Sequence, residues 1–494
     1  MGLHLPLEIL HLIAIYLQDA KASLVICTRV CREWQVAFEA LIYSRPIHVI
    51  SADGVSKDDC ERSMSLSHFQ NVTSGKGLAR RALIQHLSYH IVVPSDLPDW
   101  QTRKRKGYKV ENNIRHENDL AFQSAILDLF KTLKWWDPYL RLSVEVALLG
   151  REPGIEPHTY DWDIAGEYCY DYKEGRTQSV PVYRARFLDN AASFLPDVAC
   201  IDRLCFDDDF PFHRIWAGSA LQIAQRCSTL TQMILNLDEY IRPDHIEYIQ
   251  ARRQALADGL VKMPRSLRTF QLLNEMECPW KDMMAGLNVL RSPIDFLSQN
   301  ILGLSLSLRE LRISQLSLAP DVLFPLDTEN HPLSTSQSLY WPSLEVVELT
   351  GVPPRLPSGQ WVVHPIPEDQ IEIDEIEDWE RVICDLEEGT ISRPIFDNDH
   401  FHRTLISLGN AARLMPRLKY MLYELSHSPN FRFQFEPNAS SGKAAWQLRC
   451  PDLYHPNQLV ADAWKCPLAE LDADLPAKFI KTTIENWDQH GVKS

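Results

Sequence analysis

Apolar positions at the start of the chain fall at helical spacing. Leu5-Pro6-Leu7-Glu8-Ile9-Leu10 predicts a helix start. Proline is tolerated in a first turn, where its missing N–H would be unsatisfied anyway, and Glu8 complements the positive end of the helix dipole. Ile9, Ile13, Tyr16 and Leu17 continue one face, and Gln18-Asp19 ends it. Leu24, Cys27, Cys31, Trp34, Phe38 and Leu41 follow in steps of three and four, which predicts two further helices with Pro46 as the stop. Three short helices cannot bury so many large side chains among themselves. Leu5, Pro6, Ile9 and Leu10 crowd the start of the module and leave an apolar surface in want of a partner. The physical expectation is a helical docking module that recognises another protein by helix-in-groove packing. A helical cap on a larger core is the competing reading.

Beyond residue 46 the pattern changes. Helix-like stretches at Trp216–Cys227, His245–Leu260, Ile294–Ile301 and His402–Leu414 alternate with short runs of the form apolar-x-x-apolar-x-apolar. The runs are Ile201/Leu204/Phe206, Leu230/Met233/Leu235, Leu267/Phe270/Leu272, Leu308/Leu311/Ile313, Leu344/Val347/Leu349 and Leu418/Met421/Tyr423. Pro264, Pro342 and Pro416 announce three of them by ending what precedes. Successive runs start 29, 37, 41, 36 and then 74 residues apart, the last about twice 37. Residues 84–93 and 140–148 read as earlier units. A helix-plus-strand unit at a near-constant period predicts an α+β chain, an αβ solenoid-like irregular helix–strand array in which each unit buries its apolar face on its neighbours. Strand candidates Phe431–Phe435 and Ala445–Arg449, then a helix around Asn457–Trp464, predict a C-terminal cap over 430–470.

Composition narrows the function. The 494 residues carry 50 Lys+Arg against 66 Asp+Glu, a net charge of −16, and 45% are apolar, the balance of a well-cored chain. Such an acidic chain argues against a duplex-binding surface, so no nucleic-acid partner is expected. No stretch approaches the ~20 apolar residues of a membrane span, and Glu8 and His11 interrupt any signal-peptide run; no membrane partner is expected. The eleven cysteines are odd in number and scattered, as in a reduced cytoplasmic or nuclear protein with mostly buried thiols.

Leu5-Pro6-x-Glu8-Ile9-Leu10-x-x-Ile13-x-x-x-Leu17, then Leu24, then Val30-Cys31-Arg32-x-Trp34, resembles an F-box. The two halves of this motif at this separation are specific together, and either alone is weak. The resemblance implies docking on Skp1, the adaptor that ties F-box proteins to a cullin–RING ubiquitin ligase. It assigns the adaptor contacts to Leu5, Pro6, Ile9, Leu10, Ile13 and Leu17, and the core of a module spanning 2–45 to Leu24, Val30, Cys31 and Trp34. Residues 46–494 are similar to the leucine-rich-repeat half of many F-box proteins, without the Asn or Cys ladder and with a longer period. Taken whole, the chain resembles fungal F-box proteins with a long C-terminal region. The function so implied is a substrate-recognition subunit holding a protein target near a ubiquitin-charged enzyme; the alternative is an interaction scaffold outside any ligase.

Two segments interrupt the array. Residues 97–119 are polar and contain Arg103-Lys104-Arg105-Lys106, a solvated loop or a nuclear-import signal. Residues 368–388 hold eleven Asp or Glu and one Arg with apolar residues interleaved, an exposed face or a regulated acidic insertion. Catalytic signals are sparse: no Gly-x-Ser-x-Gly elbow, phosphate-cradling Gly-x-x-x-x-Gly-Lys loop or His-Glu-x-x-His zinc site is present. Asp207-Asp208-Asp209 is a solvated loop or a cation site, and Asp399-His400-Phe401-His402 reads as a capping Asp with surface histidines. No catalytic residue, metal ligand or cofactor is assigned, and a non-catalytic receptor is expected.

Overall fold

The computed structural model describes residues 5–20, 22–52, 63–94, 109–150, 180–181, 183–206, 214–237, 245–274, 286–365, 395–426, 431–438, 440–450, 454–471, 479–485 and 487. The acidic stretch 368–388, Asp207–Asp209 and the basic run Arg103–Lys106 lie outside them. The chain divides into two compact units, the first formed by Met1–Pro98, Glu111–Ile155 and Tyr183–Met233, the second chiefly by Ile234–Ser494.

The first unit opens with three helices, α1 (Leu7–Asp19), α2 (Leu24–Cys27) and α3 (Arg32–Tyr43), and Pro46 separates them from β1 (Ile47–Ile50). Four further strands follow: β2 (Met64–Ser65), β3 (His86–Val93), β4 (Leu142–Gly150) and β5 (Ile201–Phe206). They lie in the order β2-β1-β3-β4-β5, and every neighbouring pair is parallel. Between β2 and β3 run α4 (Leu66–Val72) and a 3-10 helix, Gly75–Ala82; between β3 and β4 runs α5 (Asn113–Leu133). Helix α5 buries Phe122, Ile126, Leu129 and Phe130, and the Tyr89 hydroxyl of β3 donates to the Ala125 carbonyl at 3.0 Å. Its first turns fall in the stretch expected to be loop. The reason is that its early inner face is polar: Arg115, Asn118 and Asp119 are buried, and the Tyr183 hydroxyl donates to Asp119 Oδ1 at 2.8 Å. A polar inner stripe carries no hydrophobic period to read.

After α6 (Ala217–Ala224), strand β6 (Gln232–Asn236) straddles the boundary between the units. In the second unit, β7 (Thr269–Leu273), β8 (Glu310–Ser314), β9 (Val346–Val352) and β12 (Tyr420–Leu425) pair in parallel and in sequence order. Helices α7 (Ile246–Leu260), α8 (Phe296–Ser305) and α9 (Asn398–Ala412) precede β7, β8 and β12. A short antiparallel pair, β10 (Val363–His364) and β11 (Ile395–Phe396), lies between β9 and α9. Strands β13 (Arg432–Asn438), β14 (Lys443–Arg449) and β15 (Phe479–Ile484) then add antiparallel, each beside the last, with α10 (Gln458–Trp464) and α11 (Leu468–Leu471) between β14 and β15. The chain is therefore α+β, a helical N-terminus followed by mostly parallel strands with helices between them. In β7, β8 and the start of β9, buried and half-buried residues alternate. A parallel strand covered on both faces would instead be buried throughout.

The six apolar runs each locate a strand, with one shift. In the run that starts at Leu267, the strand begins only at Thr269; Leu267 is fully buried and closes a turn, its N–H donating to the Pro264 carbonyl at 3.1 Å. Leu230 does the same onto Cys227, Leu308 onto Ser305 and Leu418 onto Met415, each at 3.1 Å. In these four runs the first apolar position is thus a pre-strand anchor rather than a strand residue, whereas Ile201 begins β5 itself.

The start of α9 also differs from expectation. The capping residue is Asp397, whose carboxylate accepts from the His400 N–H at 3.2 Å, not Asp399. His402 is buried, with Nε2 2.8 Å from the His455 carbonyl and Nδ1 3.2 Å from Asn457 Nδ2, and burial lowers the pKa of His400 to about 4. These are packing groups that tie α9 to the segment before α10, not surface histidines.

Candidate docking site

The N-terminal helices form a small cluster of their own. Leu10, Ala14, Leu24, Ala37 and Phe38 are its buried members, and Ile13, Leu17, Cys27, Trp34, Leu41 and Ile42 pack against them. Trp34 stacks on Phe38 with ring centroids 5.2 Å apart. Pro6 stands at the N-cap of α1, where its carbonyl accepts from the N–H groups of Ile9 (3.1 Å) and Leu10 (3.2 Å). With no side-chain cap available, backbone geometry alone starts this helix.

Helix α1 is apolar nearly all round, so sequence period could not choose its inner face. The structure does. Leu10, Ile13, Ala14 and Leu17 form the inner stripe, while Ile9, Leu12 and Tyr16, spaced three and four apart, form the outer one, with an exposed Leu5 just ahead of the N-cap. Leu10 is 1% exposed; Leu12 is 60% and Tyr16 73% exposed. Of the six expected contact residues, Leu5, Pro6 and Ile9 therefore lie on the uncovered flank, Ile13 and Leu17 are half-buried, and Leu10 sits in the module's own core. Leu12 and Tyr16, absent from that set, extend the flank, and Leu7 and Ile15 of α1 and Val25 and Ile26 of α2 are exposed as well.

The expected module core needs correction at two positions. Leu24 is buried and Trp34 packs on Phe38, but Val30 is 63% exposed and Cys31 is exposed too. The cause is local: the Val30 N–H donates to the Cys27 carbonyl in a turn, and Cys31 is the extended N-cap of α3, so both point away from the helix-packed interior.

Helix α3 is clamped to the 3-10 helix. Arg80 Nη2 lies 2.6 Å from Glu39 Oε1, Arg80 Nη1 donates to the Val72 carbonyl at 3.0 Å, and the guanidinium sits 5.8 Å from the centroid of the Tyr43 ring. Gln35 donates a second bond to Glu39 at 2.8 Å. Burial works to raise the Glu39 pKa, but the hydrogen bonds from Arg80 and Gln35 and the cationic charge outweigh it, and the net shift is downward. Gly77 is required at this joint, because a Cβ there would lie 2.0 Å from the Val72 carbonyl oxygen.

The same structure offers little for bond-making chemistry among the described residues. No group of three or more His, Cys, Asp or Glu side chains is arranged to hold a metal ion. Seven cysteines are described, all as free thiols; Cys200, Cys205, Cys227, Cys450 and Cys466 are buried, while Cys27 packs on the module core and Cys31 does not. Burial pushes the Cys200 thiol up to about 12 and Cys466 to about 11, which leaves them protonated and poor nucleophiles. No described helix is long and apolar enough to cross a membrane.

A bundle of three short helices with a sealed inner stripe and a bare apolar outer one defines a protein-docking module. Residues 3–47 match the family model described as F-box-like, so the module is an F-box-like domain. A domain of this family supports a Skp1-binding role in general terms. No curated protein and no solved structure matches the chain.

Proposed function

We propose that the chain is the substrate-receptor subunit of a Skp1–cullin–F-box ubiquitin ligase. The observation that carries this reading is the outer stripe of α1, where Ile9, Leu12 and Tyr16, with Leu5 just ahead of the N-cap, stay exposed while the helix's other side is already packed. An isolated apolar stripe of this kind lowers its free energy by entering a groove on a partner. The adaptor contacts are Leu5, Pro6 and Ile9, extended to Leu12 and Tyr16, with the rims of Ile13 and Leu17; Leu10 acts indirectly by holding α1 on Phe38. Residues 46–494 form a non-catalytic recognition scaffold, an irregular αβ solenoid whose sequential parallel strands support that reading. The mechanism is proximity: a bound target is held beside a ubiquitin-charged enzyme supplied by another subunit, which raises the effective concentration of the reacting groups. The working compartment is the cytoplasm or the nucleus.

Co-purification with Skp1 tests the docking. Ile9→Glu combined with Leu12→Glu places two charges on the bare stripe without touching the inner one, and recovery of Skp1 is expected to fall to background while the thermal transition stays put. Unchanged recovery overturns the reading. Recruitment of a cullin together with Skp1 is the further expected result; Skp1 without a cullin identifies a scaffold outside the ligase instead.

A further inference from the structure

The first unit holds a groove that the docking stripe does not use. It is open, about 640 Å³ in volume, and lies between the 3-10 helix Gly75–Ala82 and the segment that joins α5 to β4. Leu78, Arg81, Lys134, Trp135 and Trp136 contribute to its walls, with Asp137 at one side. Consecutive tryptophans are split by a turn in which the Trp136 N–H donates to the Leu133 carbonyl at 2.9 Å. Trp136 turns inward and stacks on Phe69, with the Arg81 guanidinium 5.3 Å from its ring; Trp135 is left 75% exposed. Tyr139, three residues past the inward-turned Trp136, is 87% exposed, and Leu78 is exposed across the groove. Large aromatic side chains held in water are costly unless something covers them, and Trp and Tyr are the residues that most often anchor a partner.

The charges give the partner a sign. Arg81 donates to the carbonyls of Thr73 (2.7 Å) and Trp135 (3.1 Å), and Lys134 Nζ lies 5.0 Å from the Trp135 ring. Among the described residues neither cation forms an ion pair. Asp137 spends one carboxylate oxygen on the Tyr139 N–H at 2.9 Å. The lining thus carries two cations to one acid in a chain whose net charge is −16. A neighbouring residue links the groove to the docking module: Arg80 grips Glu39 of α3, and Arg81, next along, forms the groove wall.

We propose that this groove binds an acidic peptide segment of a partner protein, one aliphatic or aromatic side chain packing on Trp135 and Leu78 while flanking carboxylates face Arg81 and Lys134. The inference rests on the substrate-receptor reading and names the chemistry of the target. A segment seated here is held in the same compact unit as the adaptor-docking helices, which is the fixed geometry that transfer by proximity needs.

The test is fluorescence anisotropy on the full chain alone, with the labelled probe peptide Gly-Asp-Glu-Leu-Phe-Glu-Asp-Gly and its counterpart in which every acid is lysine. The acidic probe is expected to bind saturably and the basic one not. Trp135→Ala weakens binding roughly tenfold and Lys134→Glu about threefold, more at low salt than at high. Both side chains are exposed, so both variants keep the native melting transition and Skp1 recovery. No saturable signal up to about 1 mM, equal binding of the basic probe, or unchanged affinity in both variants overturns the proposal. Self-association of the chain that Trp135→Ala abolishes in sedimentation overturns it too, since a second copy then fills the groove. Skp1 recovery, measured separately, decides the docking reading whatever the peptide does.

Discussion

The N-terminal module and the C-terminal segment 431–487 dispose of their apolar residues in opposite ways. In the C-terminal segment the aromatic side chains close on one another. Phe433, Phe435, Trp446 and Trp487 surround Trp464 at centroid distances of 4.8 to 6.5 Å. The Trp464 indole N–H donates to the Leu405 carbonyl at 2.9 Å, and Gly409 of α9 lets the ring approach so closely that a Cβ there would lie 2.9 Å from it. Phe479 is the exposed large apolar residue among the described positions of that segment. The module, with fewer residues, exposes Leu5, Leu7, Ile9, Leu12, Ile15, Tyr16, Val25, Ile26, Val30 and Val36. Both regions are rich in apolar side chains, so hydrophobicity alone does not separate them. What separates them is whether the chain supplies its own cover, and the module's uncovered stripe is where function is to be sought.

The largest effect that tests this contrast is Trp464→Ala. It removes a fully buried ring and its hydrogen bond and is expected to cost about 3–5 kcal/mol in a denaturant titration. Leu12→Ala, on the bare stripe, is expected to leave stability within about 0.5 kcal/mol while weakening Skp1 recovery. If Leu12→Ala destabilises the isolated chain as Trp464→Ala does, the stripe is structural and the contrast breaks.

A sharper version sits within α1 itself. Leu10 and Ile9 are adjacent in sequence and similar in size, yet one is sealed and the other bare. Leu10→Ala is expected to cost about 2–4 kcal/mol and to speed hydrogen exchange across α1 and α3. Ile9→Ala is expected to change exchange little and to act on Skp1 binding. Equal exchange in the two variants would show that the helix has no inner side.

That neighbouring pair also explains what the sequence could and could not tell. The existence of α1, α2 and α3 follows from helical spacing and from Gln18-Asp19 and Pro46, and the structure has them there. Which side of α1 faces in does not follow, because Glu8, His11 and Gln18 mark one narrow polar strip of a helix with apolar residues at 7, 9, 10, 12, 13, 15, 16 and 17, and too much of the remaining surface is apolar to single out one face. Leu12 and Tyr16 were missed for that reason, and Leu10 was placed outside. The strands were legible through the recurring apolar-x-x-apolar-x-apolar runs. Several of their starts were not, because a buried leucine ahead of β6, β7, β8 and β12 anchors a turn and is indistinguishable in pattern from a strand residue. The first turns of α5 were hidden by their polar inner stripe. The Trp135 groove carried no sequence signal at all: Trp135 and Trp136 look alike in the chain, and only the turn at Leu133 sends one inward and the other out.

The smallest expected effect concerns the joint between the docking module and the rest of its unit, where the bare and the sealed meet through a charge pair. Glu39 and Arg80 are 14% and 23% exposed, less screened than a surface pair, and Arg80 also ties down the Val72 carbonyl. A double-mutant cycle on Glu39→Gln and Arg80→Met is expected to give a coupling of about 1 kcal/mol. Its pH dependence has a definite sign. The folded-state pKa of Glu39 lies below its ordinary value of 4.5, so the folded chain holds the carboxylate charged more readily than the unfolded chain does. The stabilisation is therefore complete above about pH 5.5 and is lost as the pH falls through 4.5 and below, where protonation removes the charge from the pair. The melting temperature of the native chain should exceed that of Glu39→Gln at neutral pH, and the gap should close in acid. A gap that persists unchanged to pH 3 would mean that Glu39 acts through its shape and its neutral hydrogen bonds rather than its charge. In that case the module is joined to its unit by packing, on Tyr43 and the close approach at Gly77, and the docking helices owe their orientation to the same kind of contact that seals the C-terminal aromatic cluster.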